Sequence, residues 1–484
     1  MNILDIPLLS GATWSGHMDE IKHDRFGLFH RLNRECGDIG RIAVLGIPLV
    51  FANGPEVLHE VLVEKARSFI KSPGLRGPLK PFAGQGLFTS EGELWRQQRK
   101  LMAPLFTHAR IERYAAAMAE CASHAIAGLR KGEVVDMARI ATHIAMRIAG
   151  KTLFGIDTLD EADELGAALT VALRWATDQS QAPLYVVQLR ALGALNSLVE
   201  RLPPPHRERG ETLLETMLEP IRLPGEQTRQ FEAALAVIHG RVDRMIAERR
   251  ASGTNRPDLL SMLLEARDEG GSQMSDQQVR DEIVTLFIAG HETTATALAW
   301  SLYLLGRDPE AYARARAEAR SLPGSPTATV TRTDLPALGY CLRVFKEAMR
   351  LYPPIYFFGR QSTADVTIGG YDLPRNTVVL ISSYALHHRP EIWPDPERFD
   401  PSRFEPQAEE GRHRQAYLPS SAGPRTCIGN LFALMEGPIV LATILRQVDL
   451  ELTSQVEIEP DTYATLRPAG GVSMRVTAVE PSAT

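Results

Sequence analysis

The chain has little cysteine: four residues in 484, at Cys36, Cys121, Cys341 and Cys427. They stand far apart, which excludes a Cys-x-x-Cys zinc site and a fold stapled by disulfides. No run of eighteen apolar residues exists, so no membrane span is expected. Net charge is slight as well. The 53 Lys and Arg stand against 59 Asp and Glu, or −6 overall, which argues against a nucleic-acid binder. The opening Met1-Asn2-Ile3-Leu4-Asp5-Ile6-Pro7 lacks the basic and long apolar regions of a secretory leader. There is no internal repeat and no low-complexity block. These absences point to a cytoplasmic protein whose cysteines stay reduced. At 44% hydrophobic and 23% charged, the chain can bury a large core.

The hydrophobic pattern is mainly helical, with a minor β component. A helix is expected at 26–36, strands at 40–45 and 48–52, and a helix at 55–65. Residues 72–90 are rich in Gly and Pro and read as a long loop. From 93 to about 262 apolar residues recur at threes and fours, with breaks at 201–206 and 223–225. The longest uninterrupted helical pattern is 275–305, opened by a capping box of Ser275 and Gln278. A Pro/Ser/Thr loop follows at 321–333, and a helix at 334–351 stops at Pro353-Pro354. No linker divides the chain, so one domain over 1–484 is expected.

One cysteine sits in a distinctive setting: Gly423-Pro424-Arg425-Thr426-Cys427-Ile428-Gly429, followed by an apolar helical pattern from Leu431. Two readings stay open on these residues alone. The first is an inert buried cysteine in a glycine turn. The second is a thiolate presented to a haem iron. Glycines let the backbone curl beneath a flat macrocycle, and a helix N-terminus stabilises the anion.

Three further segments bear on the choice. Glu347-Ala348-Met349-Arg350 puts an acid and an arginine on one helix face, and Pro396-Glu397-Arg398-Phe399 follows it. Ala289-Gly290-His291-Glu292-Thr293-Thr294 stands in the middle of the long helix among apolar neighbours, so the acid and alcohols read as buried. The glycine and threonine hydroxyls can open the helix there. A buried acid beside a buried alcohol makes a site for delivering protons. Trp95 and Arg99 share a helix face at a four-residue spacing.

Together these segments resemble the cytochrome P-450 family, in the family's order from Trp95 to Leu431. The resemblance implies a mainly α fold with small β-sheets and haem b (iron protoporphyrin IX) between the long helix and the cysteine loop. Cys427 is then the iron ligand, and a thiolate there favours O–O cleavage. Gly423 and Gly429 shape its loop. Trp95, Arg99, Arg360 and Arg425 meet the haem propionates, a task suited to the arginine fork. Glu292 becomes the proton relay and Thr293 the hydroxyl that bonds the oxygen, with small Ala289 leaving room. His291 reads as a packing residue rather than a ligand. Glu347, Arg350 and Arg398 form a buried structural network.

The implied activity inserts one atom of O2 into a lipophilic substrate, by hydroxylation or epoxidation. A terpenoid, polyketide or fatty acyl chain would each fit. Pocket candidates are Phe82, Leu87, Phe88, Phe287, Ala289, Ile355, Tyr356 and Phe357. No flavin or iron–sulfur module is expected after the cysteine helix, so electrons come from a separate ferredoxin or flavoprotein reductase. Arg96, Lys100, Arg412 and Arg414 are candidates for its docking face. Two alternatives stay open: a haem-thiolate isomerase, dehydratase or peroxygenase, and a haem sensor without catalysis. The chain departs from the family at Ser420, where an aromatic Phe usually shields the thiolate. A serine there would solvate the thiolate and raise the iron's potential, unless Tyr417 or another side chain fills the gap.

Overall fold

The computed structural model describes residues 1–157, 162–253, 258–266 and 273–480. The helices that build the site are α1 (Pro73–Ala83), α2 (Gly92–Met102), α3 (Met137–Ala149), α4 (Pro183–Val199), α5 (Pro204–Thr216), α6 (Asp276–Arg307), α7 (Gly339–Leu351) and α8 (Asn430–Gln447). A five-stranded sheet flanks them: β1 (Ile39–Val44), β2 (Ile47–Ala52), β3 (Phe69–Lys71), β4 (Phe358–Ser362) and β5 (Val378–Ile381). Its strand order is β1-β2-β5-β4-β3, with β2 and β5 parallel. A short hairpin, β6 (Pro460–Thr462) with β7 (Leu466–Pro468), approaches α6 from the C-terminal side. The expected helix at 26–36 is Arg25–Cys36, and both expected N-terminal strands are present. The described part of 93–262 is helical apart from short connections and a strand at Val134–Asp136. Residues 158–161 and 254–257 of that stretch lie outside the described residues.

The expected loop at 72–90 is instead half helix. α1 runs through Pro78 and Pro81, with Pro73 in its first turn. Burial outweighs propensity here, because Leu79, Phe82 and Ala83 all face the core. Gly77 allows the close approach: a Cβ there would meet Tyr185 Oη at 2.0 Å and the Leu218 carbonyl at 2.2 Å. The expected helix at 334–351 begins later. Residues Arg332–Ala337 form a tighter turn around Pro336 before α7 starts at Gly339.

α6 is the central beam. Ser275 caps it by accepting the Gln278 N–H at 3.2 Å. Its middle is buried almost all round, and it packs on α3, α7 and α8. Trp300 stacks on Tyr352 at 3.7 Å and donates to the Leu466 carbonyl at 2.6 Å, which ties α6 to the end of α7 and to β7.

The Glu347–Arg350 pair is fully buried. Arg350 donates to Glu347 at 2.7 and 2.8 Å, and to the carbonyls of His387, Pro396 and Arg398 at 2.9, 2.8 and 3.1 Å. The expectation for Arg398 is corrected here: it contributes its carbonyl, while its side chain is exposed. The second arginine of the network is Arg403, with Nε 3.5 Å from Glu347 Oε1. The sequence holds two Pro-x-Arg-Phe runs, 396–399 and 401–404, and only the chain's turn at Asp400 decides which arginine faces inward. The Asp400 N–H itself binds Glu347 at 3.0 Å. Arg403→Ala should therefore destabilise the protein by about 3 kcal/mol, as removal of one partner of a buried ionic network does. Arg398→Ala should leave the denaturant midpoint unchanged. Equal midpoints for the two variants would reverse the assignment.

Candidate active site

A cavity of about 1000 Å³ lies between α6 and the loop that precedes α8. Cys427 faces it from deep within the protein, exposed to the cavity rather than to the outer surface. Burial pushes its thiol up, while the Gly429 N–H and Arg99 pull it down. The loop is held from behind. Gly423 has φ +69° and a Cβ there would fall 1.8 Å from the Leu62 carbonyl, so only glycine docks against that turn. The Cys427 N–H donates to the Ser420 carbonyl at 2.9 Å. The buried arginine network reaches this loop through His387. Its Nδ1 faces the Arg350 carbonyl at 3.2 Å, so Nε2 accepts the Leu418 N–H at 2.8 Å. Tyr417 packs over His387 and Phe404, away from Ser420, and Ser420 lines the cavity.

One end of the cavity concentrates positive charge. Lys71, Arg99, Arg360 and Arg425 line it, with Trp95 beneath the Arg425 guanidinium at 4.9 Å. The carboxylate among them is Glu91, which binds Arg425 at 2.7 Å and the Lys71 N–H at 2.7 Å. Among the described residues no carboxylate pairs with Arg99 or Arg360. Burial, aided by Arg425, pushes Arg360 down to about 10. Burial likewise brings Lys71 to about 8. Four cations against one anion leave this end short of negative charge. Lys71 and Glu91 carried no motif that marks them in the sequence.

On the opposite wall, α6 presents Ala289, Glu292 and Thr293. Thr293 Oγ1 donates to the Ala289 carbonyl at 2.8 Å, one turn back. Glu292 accepts from Thr465 at 2.7 Å and pairs with Arg467 of β7. Burial pushes its carboxyl up, but Arg467 and His291 outweigh this and hold it below the usual carboxylate range. Arg467 and Thr465 stand more than 170 residues from Glu292, beyond the reach of any local pattern.

Leu87, Phe88, Ile355 and Phe357 line the cavity as expected. Three candidates do not. Phe287 is core and stacks on Phe154 at 4.5 Å, because two positions along a helix from Ala289 is about 200° of rotation. Tyr356 points away between Ile355 and Phe357, as alternate residues of an extended segment do, and its hydroxyl donates to the Thr462 carbonyl. Phe82 packs against Phe231. α4 carries no motif that marks it in the sequence, yet its Val186, Leu189 and Leu192 line the cavity. Of the docking-face candidates, Arg96 is paired with Glu93 and Arg412 lies over Trp393 at 4.2 Å.

The family model for cytochrome P450 matches residues 6–202 and 208–474. The chain is 35% identical over 413 residues to cyclooctat-9-en-7-ol 5-monooxygenase of Streptomyces melanosporofaciens, covering 84% of this chain and 81% of that one. It is 31% identical over 446 residues to pentalenene oxygenase of Streptomyces avermitilis, covering 92% and 91%. The crystal structure of the cytochrome P450DA heme domain superposes with a TM-score of 0.80 at 26% identity over 97% of each chain. This chain belongs to the cytochrome P450 family. It is a haem-dependent monooxygenase that uses dioxygen and electrons from a redox partner. Among the described residues, no helix is long and apolar enough to cross a membrane.

The residues present fit that cofactor. A cysteine faces the cavity, and Arg99 and Arg360 line it with no paired carboxylate among the described residues, where a dianionic macrocycle needs cations.

The start of α6 shapes the wall near Leu87. Glu282 is fully buried and accepts the Leu87 N–H at 2.9 Å, and burial pushes its carboxyl up to about 8. Gly84 and Gly86 bring that segment within reach of Asp281 and Thr285. Between pH 4.5 and about 8 the unfolded chain loses this proton while the folded protein keeps it. Stability therefore falls as pH rises through that window. Glu282→Gln should flatten that part of the melting temperature–pH profile and raise the melting temperature near its upper end. An unchanged slope would place the titration elsewhere.

Proposed function

We propose that this chain hydroxylates or epoxidises a cyclic terpenoid, with Cys427 as the thiolate ligand of haem b. The observation that carries the reading is the distribution of polarity in the cavity. Charge gathers at the Arg99–Arg360–Arg425 end and at the mouth, where Arg190, Glu211 and Arg375 stand. Between them Phe88, Leu153, Ile288, Ala289, Ile355 and Phe357 make an apolar middle. A rigid hydrocarbon skeleton fills such a space with little loss of conformational entropy. The relatives named for cyclooctat-9-en-7-ol and pentalenene support that class over a polyketide or a fatty acyl chain.

Trp95, Arg99, Arg360 and Arg425 would hold the propionates, and Gly423 and Gly429 the cysteine loop. Bound there, haem supplies the reductive activation of dioxygen. The chain's own residues orient the substrate, exclude water and deliver protons. Glu292 is ionised and opens on the cavity beside Thr293, so it takes protons from the solvent side and passes them inward. Thr293 holds a hydroxyl on the cavity face of the continuous α6, where it can turn from the Ala289 carbonyl toward the cavity. Electrons would come from a separate ferredoxin or flavoprotein reductase to a single domain. The four free cysteines suit the cytoplasm.

Three measurements test this. Cys427→Ser should abolish the thiolate-type band of the reduced carbon-monoxide spectrum; its persistence would remove Cys427 from its role. Cyclic terpene hydrocarbons and mono-alcohols should shift the Soret band to high spin where fatty acids and macrolides do not. A shift confined to fatty acids would overturn the substrate class. Glu292→Gln should lower coupled turnover by about 100-fold, the scale of a lost acid–base group.

A further inference from the structure

The two oxygens of Glu292 have different surroundings. Oε1 takes both the Thr465 hydroxyl and the Arg467 guanidinium, so the C-terminal hairpin holds the carboxylate by one atom. Oε2 lies 3.8 Å from Nε2 of His291, the neighbouring residue on α6. His291 is fully buried. Its Nδ1 is 2.7 Å from the Phe287 carbonyl, which only accepts, so Nδ1 carries the hydrogen. In the neutral ring Nε2 is then a bare acceptor. It is buried, has no hydrogen-bond partner, and faces a second acceptor. An unsatisfied buried acceptor is costly, and a facing carboxylate adds to the cost. A proton on Nε2 would turn this facing pair of acceptors into an ion pair at 3.8 Å.

The charges acting on His291 come from two elements. Burial most strongly opposes its protonated form; Glu292 on α6 favours that form, Arg467 on β7 opposes it, and the net effect lies below the usual histidine range. A proton on Nε2 is therefore loosely held beside a carboxylate that can take it. The reaction consumes two protons and two electrons for each oxygen atom inserted, whereas Oε2 carries one proton at a time.

We propose that His291 is the proton store of this relay, holding one proton on Nε2 for the free oxygen of Glu292 while Arg467 positions the carboxylate. This rests on the reading of Glu292 as the proton-passing group. In the store, Oε2–H gives its proton to Nε2 once a side-chain rotation closes the 3.8 Å gap or one water bridges it, leaving a carboxylate and an imidazolium. The reverse transfer returns it once Oε2 has delivered another. Each transfer moves one proton and no electron. Protons enter from water on the side of Arg467, whose side chain is 33% exposed. Arg467 and His291 are positioning and storage groups that act through Glu292.

The experiment uses the reconstituted holoenzyme with its reductase. In His291→Asn the amide N–H can still donate to the Phe287 carbonyl, but Nε2 is gone. Coupled turnover should fall about tenfold, short of the loss of a direct acid–base group, with more peroxide released per electron pair. The wild-type pH profile should show a step below neutrality that the variant lacks. His291→Gln, closer in length, repeats the test should Asn fold poorly. In the diamagnetic ferrous carbon-monoxide form, ¹⁵N-histidine resonances should show His291 titrating below neutrality, and Glu292→Gln should move that titration lower still. Identical pH profiles in His291→Asn and wild type, or a His291 resonance indifferent to Glu292→Gln, would overturn the store. Full coupled turnover in Glu292→Gln would instead overturn the relay on which it rests.

Discussion

Arg350 is a guanidinium sealed from solvent, and the geometry of the cysteine loop depends on where its bonds go. It gives two to Glu347 and three to backbone carbonyls at positions 387, 396 and 398. A buried cation must spend its donors on partners that do not move. Those partners are the backbone of the segment leading to the cysteine. His387 carries the constraint onward, because a donor at Nδ1 fixes an acceptor at Nε2 for the Leu418 N–H. Ser383 donates to the Leu418 carbonyl at 2.8 Å, so both backbone polar groups of Leu418 are held. The thiol that faces the cavity is thus placed by a salt bridge on another helix.

The cavity joins two electrostatic requirements that pull in opposite directions. At the cysteine end, buried cations outnumber anions, which leaves that end ready for a dianionic cofactor. At the helix wall, a single buried carboxylate is kept ionised by one arginine from the hairpin. Between these charged ends the lining is apolar, so a molecule bound there gains from burial rather than from charge pairing. The same low-dielectric interior makes the Glu292–Arg467 contact strong and makes the bare Nε2 of His291 costly to leave without a donor.

Much of the fold and of this site was legible in the sequence. Cys427, Arg425, Glu292, Thr293, Trp95 and Arg99 lie in local motifs whose spacing follows helix and turn geometry, and each of them faces the cavity. The differences between expectation and structure have a common physical cause. Phe82, Phe287 and Tyr356 have the residue type of a pocket lining, but the side of a helix or strand on which they fall sends them into the core. Arg398 and Arg403 sit in near-identical surroundings, and only the chain's turn at Asp400 tells them apart. The segment 72–90 has the composition of a loop, yet Phe82 and its neighbours gain more from burial than the helix loses to Pro78 and Pro81.

The sequence by itself determined the family and the local devices: the glycine-flanked cysteine, the acid and alcohol in the middle of the central helix, and the Glu–Arg pair one turn apart. These depend on contacts within a few residues, which backbone periodicity dictates. Only the tertiary structure decided which charges meet. Arg467 reaches Glu292, Glu91 settles among Lys71 and Arg425, and α4 covers an apolar cavity, all across gaps of more than a hundred residues or between different layers. Such pairings follow from how elements pack and from the cost of leaving a buried charge or lone pair unmatched, and no local pattern encodes that cost.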